Sequence, residues 1–102
     1  MRSSIIAGNT APTGPDCFSD AVRSVGANLI GDQSGCAITG SALAGDPLLG
    51  PLQNNGGSTG THALLPGSPA IGVLPTRGAC RLPDQRGVAR TVPCDLGAYE
   101  AP

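Results

Sequence analysis

Few residues in this chain of 102 can carry chemistry: four cysteines, one histidine, seven carboxylates and six arginines. The cysteines stand at 17, 36, 80 and 94, and no two have the Cys-x-x-Cys spacing of a shared zinc site. Four cysteines allow three disulfide connectivities. The local one joins Cys17 to Cys36 and Cys80 to Cys94, so that each bridge closes one excursion of the chain. Each closure is worth on the order of 3 kcal/mol through the restricted unfolded chain. His62 stands alone in Gly60-Thr61-His62-Ala63-Leu64-Leu65. A general base needs an acid or a nucleophile beside it, and no Ser-His-Asp or Cys-His arrangement can be identified here. His62 reads better as a polar member of a strand, satisfied by a backbone group.

The carboxylates are Asp16, Asp20, Asp32, Asp46, Asp84, Asp95 and Glu100. Asn9 and Asp32 become neighbours if Ile6-Ala7-Gly8-Asn9 is laid over Leu29-Ile30-Gly31-Asp32. Acids on adjacent coils are how polysaccharide-cleaving β-helices work. The ladder stops there, however, because Pro51 and Val73 follow the next two glycines. An Asn/Asp pair at a corner is more often a turn device that accepts local backbone N–H groups. The most specific pattern is the tail, Asp84-Gln85-Arg86-Gly87 followed by Cys94-Asp95-Leu96-Gly97-Ala98-Tyr99-Glu100. Asp84 and Arg86 are too close along an extended chain to make a site by themselves. Arg86 and Arg90 can reach back to Asp95 or Glu100, since the planar guanidinium suits carboxylates and strand-end carbonyls. Tyr99 can lie over apolar surface with its hydroxyl in water. Such a set closes a fold.

The elements that position these residues must be thin. Hydrophobic residues make up 39% of the chain, yet Phe18 and Tyr99 are its only aromatics, so buried area has to come from Leu, Ile, Val and Ala. Sixteen glycines and ten prolines call for many turns. Charged residues at 13% lack the signature of a disordered chain. Five apolar–glycine pieces, Ala7-Gly8, Ile30-Gly31, Leu49-Gly50, Ile71-Gly72 and Leu96-Gly97, recur at steps of 23, 19, 22 and 25 residues. Short apolar segments at that spacing, with turn-rich excursions between them, predict an all-β solenoid whose coils stack at about 4.8 Å. Gln53-Asn54-Asn55-Gly56-Gly57 supplies a tight reversal. Helix is poorly supported: Phe18 to Val25 has no i, i+3, i+4 stripe.

Several function classes are set aside. There is no lysine, the arginines are scattered and the net charge is −1, which argues against nucleic acid. No apolar run is long enough to cross a bilayer. Met1-Arg2-Ser3-Ser4 leads straight into Ile5-Ile6-Ala7 and does not resemble an export signal. An apolar segment so close to Met1, with nothing before it to pair with, implies a fragment whose N-terminal coils are missing.

These pieces resemble bacterial right-handed parallel β-helix proteins of the pectin-lyase-like superfamily, specifically the C-terminal choice-of-anchor Q domain region. The matching stretches run from Ser4-Ile5-Ile6-Ala7-Gly8-Asn9-Thr10 through Gly45-Asp46-Pro47-Leu48-Leu49-Gly50-Pro51-Leu52 and Leu65-Pro66-Gly67-Ser68-Pro69 to the tail, in the family's order. The resemblance implies terminal coils over residues 1–75 and a capping segment over 76–102. It also implies a secreted, surface-displayed scaffold with no cofactor, continuous with further coils upstream and associated with surface polysaccharide. The alternative is the end of a polysaccharide lyase or glycoside hydrolase whose active site lies on other coils.

Overall fold

In a computed structural model describing residues 1–102, the chain forms six short strands and no helix. These are β1 (Ile5–Ile6), β2 (Ser19–Arg23), β3 (Leu29–Ile30), β4 (Cys36–Thr39), β5 (Leu49–Gln53) and β6 (Thr61–Leu64), arranged as three two-stranded sheets. The two apolar pairs Ile5-Ile6 and Leu29-Ile30 lie side by side in parallel, Ile5 opposite Leu29 and Ile6 opposite Ile30. Leu43 bridges Leu29 from the other side, again in parallel, with Ile30 N–H donating to Leu43 C=O at 2.9 Å. Three passes of the chain therefore lie in register through Leu29.

β2 and β4 are likewise parallel, with Ser19 opposite Cys36 and, beyond an irregularity, Val22 opposite Ile38. The Cys17–Cys36 disulfide fastens the start of this pair. The corners between passes are stitched by the backbone: Val25 N–H donates to Met1 C=O and Ser24 N–H to Thr39 C=O. Asn28 is fully buried there. Its Oδ1 accepts the Ser4 amide, while its Nδ2 donates to Met1 C=O and to Ser24 Oγ. A buried amide needs such partners, and Asn28 has them on both passes.

The observed step from β1 to β3 is 24 residues rather than the 23 obtained by aligning glycines. Gly8 and Gly31 do different jobs. Gly8 has φ +74° and turns the chain out of β1 with open space around it. Gly31 lies beneath Ala7, where an added Cβ would come within 3.1 Å of the Ala7 Cβ. One glycine is needed for its conformation and the other for room.

Because side chains alternate along a strand, Ile5 and Leu29 face one way and Ile6 and Ile30 the other. Leu29 joins the buried cluster Leu64, Ala70, Leu74, Cys80, Cys94 and Leu96, with Ile5, Ala7 and Leu49 packed against it. Ile30 is wholly buried but stands outside that cluster. Residues from 49 onward thus pack on the face of the β1–β3 pair. Full burial of each leucine in this layer is worth about 2 kcal/mol.

Parallel stacking does not continue past Gly45. β5 and β6 form an antiparallel hairpin, Leu49 opposite Leu64 and Leu52 opposite His62. Its loop holds the Asn54-Asn55-Gly56-Gly57 reversal, with both glycines at positive φ. Ile71-Gly72 is a turn with Ile71 38% exposed, and Leu96-Gly97 bonds to Ala70 and Ser3. Of the five apolar–glycine pieces, the first two are stacked neighbours. Leu74 and Cys94 form an antiparallel bridge beside the Cys80–Cys94 disulfide. Both disulfides follow the local pairing.

Candidate functional site

Asp84 is the hub of the tail. The chain turns at 84–87, with Gly87 N–H donating to Asp84 C=O and Gly87 at φ +84°. That turn brings Asp84 and Arg86 together, against the expectation drawn from an extended chain. The Asp84 side chain is 0% exposed and pairs with the Arg86 guanidinium at 2.7 and 3.0 Å. It also accepts the amides of Arg86, Val88 and Glu100. Burial alone would push the carboxyl up. The Glu100 amide, the Arg86 side chain and the Val88 and Arg86 amides outweigh it and hold the pKa at about 2, below the ordinary 3.8.

The remaining donors of Arg86 reach across the fold, to Asn55 C=O at 3.2 Å and Glu100 C=O at 2.8 Å. Its guanidinium carbon sits 3.8 Å above the Tyr99 ring, a cation–π contact. Gln85 donates to Thr59 Oγ1 at 2.7 Å and Gly60 C=O at 3.3 Å, so the Asp84–Gly87 turn holds the β5–β6 loop. Arg90 pairs with Glu100 at 3.1 Å and donates to the carbonyls of Asp95 and Gly97. The Asp95 carboxylate accepts the amides of Gly72 and Ala101. Gly97, at φ +83°, donates to Ser3 C=O and lies against Ile5. Asp84, Gln85, Arg86, Asp95, Gly97, Tyr99 and Glu100 therefore form one connected clasp. It lies against β1 and the hairpin, away from the last parallel pass at Leu43. All its carboxylates are occupied by backbone or arginine donors, which leaves none aimed at a ligand.

His62 is exposed and its Nδ1 lies 2.8 Å from Gly50 C=O, on a strand and without an acid partner. Asn9 and Asp32 do come near each other, through a third residue. Asp16 Oδ1 accepts the Asn9 amide and side chain, and Asp16 Oδ2 accepts the Asp32 amide at 2.8 Å. The Asn9 amide holds the Asp16 carboxyl below its usual value, and Ser34 does the same for Asp32. Asp16, Asp32 and Asp46 line a shallow dent of about 480 Å³. The Asp46 carboxylate accepts the Leu48 amide. Sequence reasoning missed Asp16 as the organiser of this corner. Its position just before Cys17, whose partner Cys36 lies four residues beyond Asp32, was the available signal. No group of three or more His, Cys, Asp or Glu side chains is placed to hold a metal ion.

The other notable feature is the outer edge of β1. β1 pairs with β3 on one side and with no strand on the other. Ile5 and Ile6 are half-buried, whereas Leu29 and Ile30, one pass further on, are each 0% exposed. A groove of about 670 Å³ opens beside this edge, between Ile5, the hairpin residues Leu49 and Leu52, and the tail residues Leu96 and Tyr99.

No family model, no curated protein and no solved structure matches this chain. No helix is long and apolar enough to cross a membrane. The two disulfides are compatible with an extracellular protein.

Proposed function

We propose that the chain is a non-catalytic structural module: the closing coils of a secreted, surface-displayed β-helix protein, sealed along one face by the Asp84–Glu100 clasp. The resemblance to the choice-of-anchor Q region of pectin-lyase-like proteins belongs to this proposal. So do a bacterial cell-surface location and an association with extracellular polysaccharide. The observation that carries it is the edge of β1. Identical positions on successive passes go from half-buried to fully buried, and the first pass has an unpaired strand edge. Such an edge is a template for another strand, and a parallel pass before β1 would cover it.

The test is to duplicate residues 5–28 in tandem ahead of Ile5, with the added copy of Cys17 changed to serine so that no unpaired thiol is introduced, adding one pass at the observed 24-residue step. Burying Ile5 and Ile6 and pairing the edge should raise the melting temperature by about 5 °C or more. The Ile5 amide, which faces the open edge, should also exchange more slowly. An extended chain that melts no higher, with that amide unchanged, would remove the basis of the reading.

A second reading, the end of a polysaccharide lyase or glycoside hydrolase, draws on the dent shared by Asp16, Asp32 and Asp46. Glycoside hydrolysis needs one carboxyl pushed up to act as acid while another stays ionised. Asp16 and Asp32 are both held down. Hydrolysis or elimination of a polysaccharide by the chain, abolished by Asp32→Asn, would favour the enzyme over the scaffold.

A further inference from the structure

The chain uses its arginines in two ways. Arg86 and Arg90 point inward, and their forks are filled by Asp84, Glu100 and backbone carbonyls. Arg2, Arg77 and Arg81 are exposed, and none of them makes an ion pair or a side-chain hydrogen bond within the protein. Three dents of about 650, 490 and 530 Å³ lie along this side. The first and second share Ser3, Leu74, Gly78 and Ala79, and the second and third share Arg81 and Arg90. They make one trough, with Arg2 at one end, Arg81 in the middle and Arg77 at the other. The only carboxylate lining it is Asp95, which is buried and spends its oxygens on the amides of Gly72 and Ala101.

The acids that are not buried are elsewhere. Asp16, Asp20, Asp32 and Asp46 all lie in residues 16–46, and every carboxylate side chain after them is buried. A net charge of −1 thus conceals a trough whose exposed charged side chains are all arginines. The segment bearing Arg77 and Arg81 is held in place. Turns close on it from Thr76 C=O to Ala79 N–H and from Arg77 C=O to Cys80 N–H, and Cys80 is bonded to Cys94. Unpaired guanidinium groups on a pinned loop are available to pair with oxyanions such as carboxylate and sulfate.

We propose that this trough is a binding surface for an acidic polysaccharide, with Arg2, Arg77 and Arg81 pairing with its carboxylate or sulfate groups. The hydroxyls of Ser3, Thr76 and Thr91 line the same dents and suit sugar hydroxyls. Single-stranded nucleic acid fits less well, because neither Phe18 nor Tyr99 lines the trough to stack a base. Three arginines are also fewer than the four to eight basic residues of an anionic-membrane patch. The surface does not depend on whether the chain closes a longer β-helix.

The test uses the full chain with disulfides intact and measures retention on immobilised alginate, dextran sulfate and neutral dextran at about 50 and 200 mM NaCl, the range over which polyanion contacts are screened. Binding to alginate or dextran sulfate that is absent on dextran and weakened by salt is the expected result; which polymer binds tells carboxylate from sulfate. Arg77→Gln with Arg81→Gln should weaken it about tenfold or more, whereas Arg23→Gln, outside the trough, should leave it unchanged. The double variant removes no internal bond and should melt with the wild type. The proposal is overturned by no retention on either acidic polymer, by retention equal in the double variant, or by tighter binding of a single-stranded oligonucleotide or polyglutamate.

Discussion

Replacing Asp84 by asparagine keeps the shape of the side chain and removes the charge on which the clasp converges. In the wild-type chain this carboxylate takes two bonds from the Arg86 guanidinium and three from backbone amides. An asparagine offers one oxygen, and its NH₂ group would face donors. Arg86, with an 11% exposed side chain, would lose its counter-charge. Breaking a buried pair in this way costs about 3–5 kcal/mol, so we expect Asp84→Asn to destabilise by about 3 kcal/mol near neutral pH. That is a large share of the roughly 5–15 kcal/mol of a domain this size. The titration gives an independent handle. The folded pKa is depressed from 3.8 to about 2. Its contribution is therefore complete above the unfolded value and is lost as pH falls through the folded one. A difference of about 1.8 between 3.8 and about 2, at about 1.4 kcal/mol for each pH unit, amounts to roughly 2.5 kcal/mol. Urea unfolding with the disulfides intact, at several pH values from neutral down to about 2, would read both effects. The gap between wild type and variant should narrow steadily below about pH 4. A gap under about 0.5 kcal/mol, or one that does not change with pH, would refute the reasoning about the hub.

Other substitutions probe separate features. Changing Cys80 and Cys94 together to serine should lower stability by about 3 kcal/mol, and so should the Cys17/Cys36 pair, each measured by thermal melting. Gly57→Ala should destabilise by about 2 kcal/mol, because φ is +79° and the new Cβ would come within 2.8 Å of the Arg86 Cα. Equal urea midpoints would show that the hairpin loop does not press on the clasp. Asn28→Ala should cost about 2 kcal/mol by leaving the buried Ser4 amide without its partner, and should speed exchange of that amide; the Met1 carbonyl keeps the Val25 amide. The isolated chain should associate through the β1 edge as concentration rises; a sedimentation profile that stays monomeric would count against an adhesive edge.

Part of this was legible in the residues. Of three open cysteine connectivities, the residues favour the local one because each bridge closes a single excursion, and it is the one found. The scarcity of large rings and the abundance of glycine and proline pointed to short strands and many turns. The Ile5-Ile6 and Leu29-Ile30 match was real but one residue out, because an alignment of glycines treats a conformational glycine and a space-giving one as equivalents. Leu49-Gly50 had the composition of another pass and became a hairpin strand instead. Strand sense is decided by what a segment pairs with, and the Asn54–Gly57 reversal gives it the antiparallel partner Thr61–Leu64 at once. The Asp84–Arg86 pair was invisible for a similar reason: two residues apart, they meet only when Gly87 turns the backbone. Asp16 was hidden because its partners lie 7 residues before it and 16 after.

The buried acids of this molecule all belong to its later half. Every donor that holds Asp84, Asp95 and Glu100 comes from residues 72–101. The earlier half keeps its own aspartates at the surface or half-buried and relies on parallel ladders, Asn28 and one disulfide. As Asp84 takes up its proton, acid should loosen the protein from its C-terminal side, with the Ile30 layer still protected after the clasp has opened. The chain would then melt in two steps at low pH and in one step at neutrality.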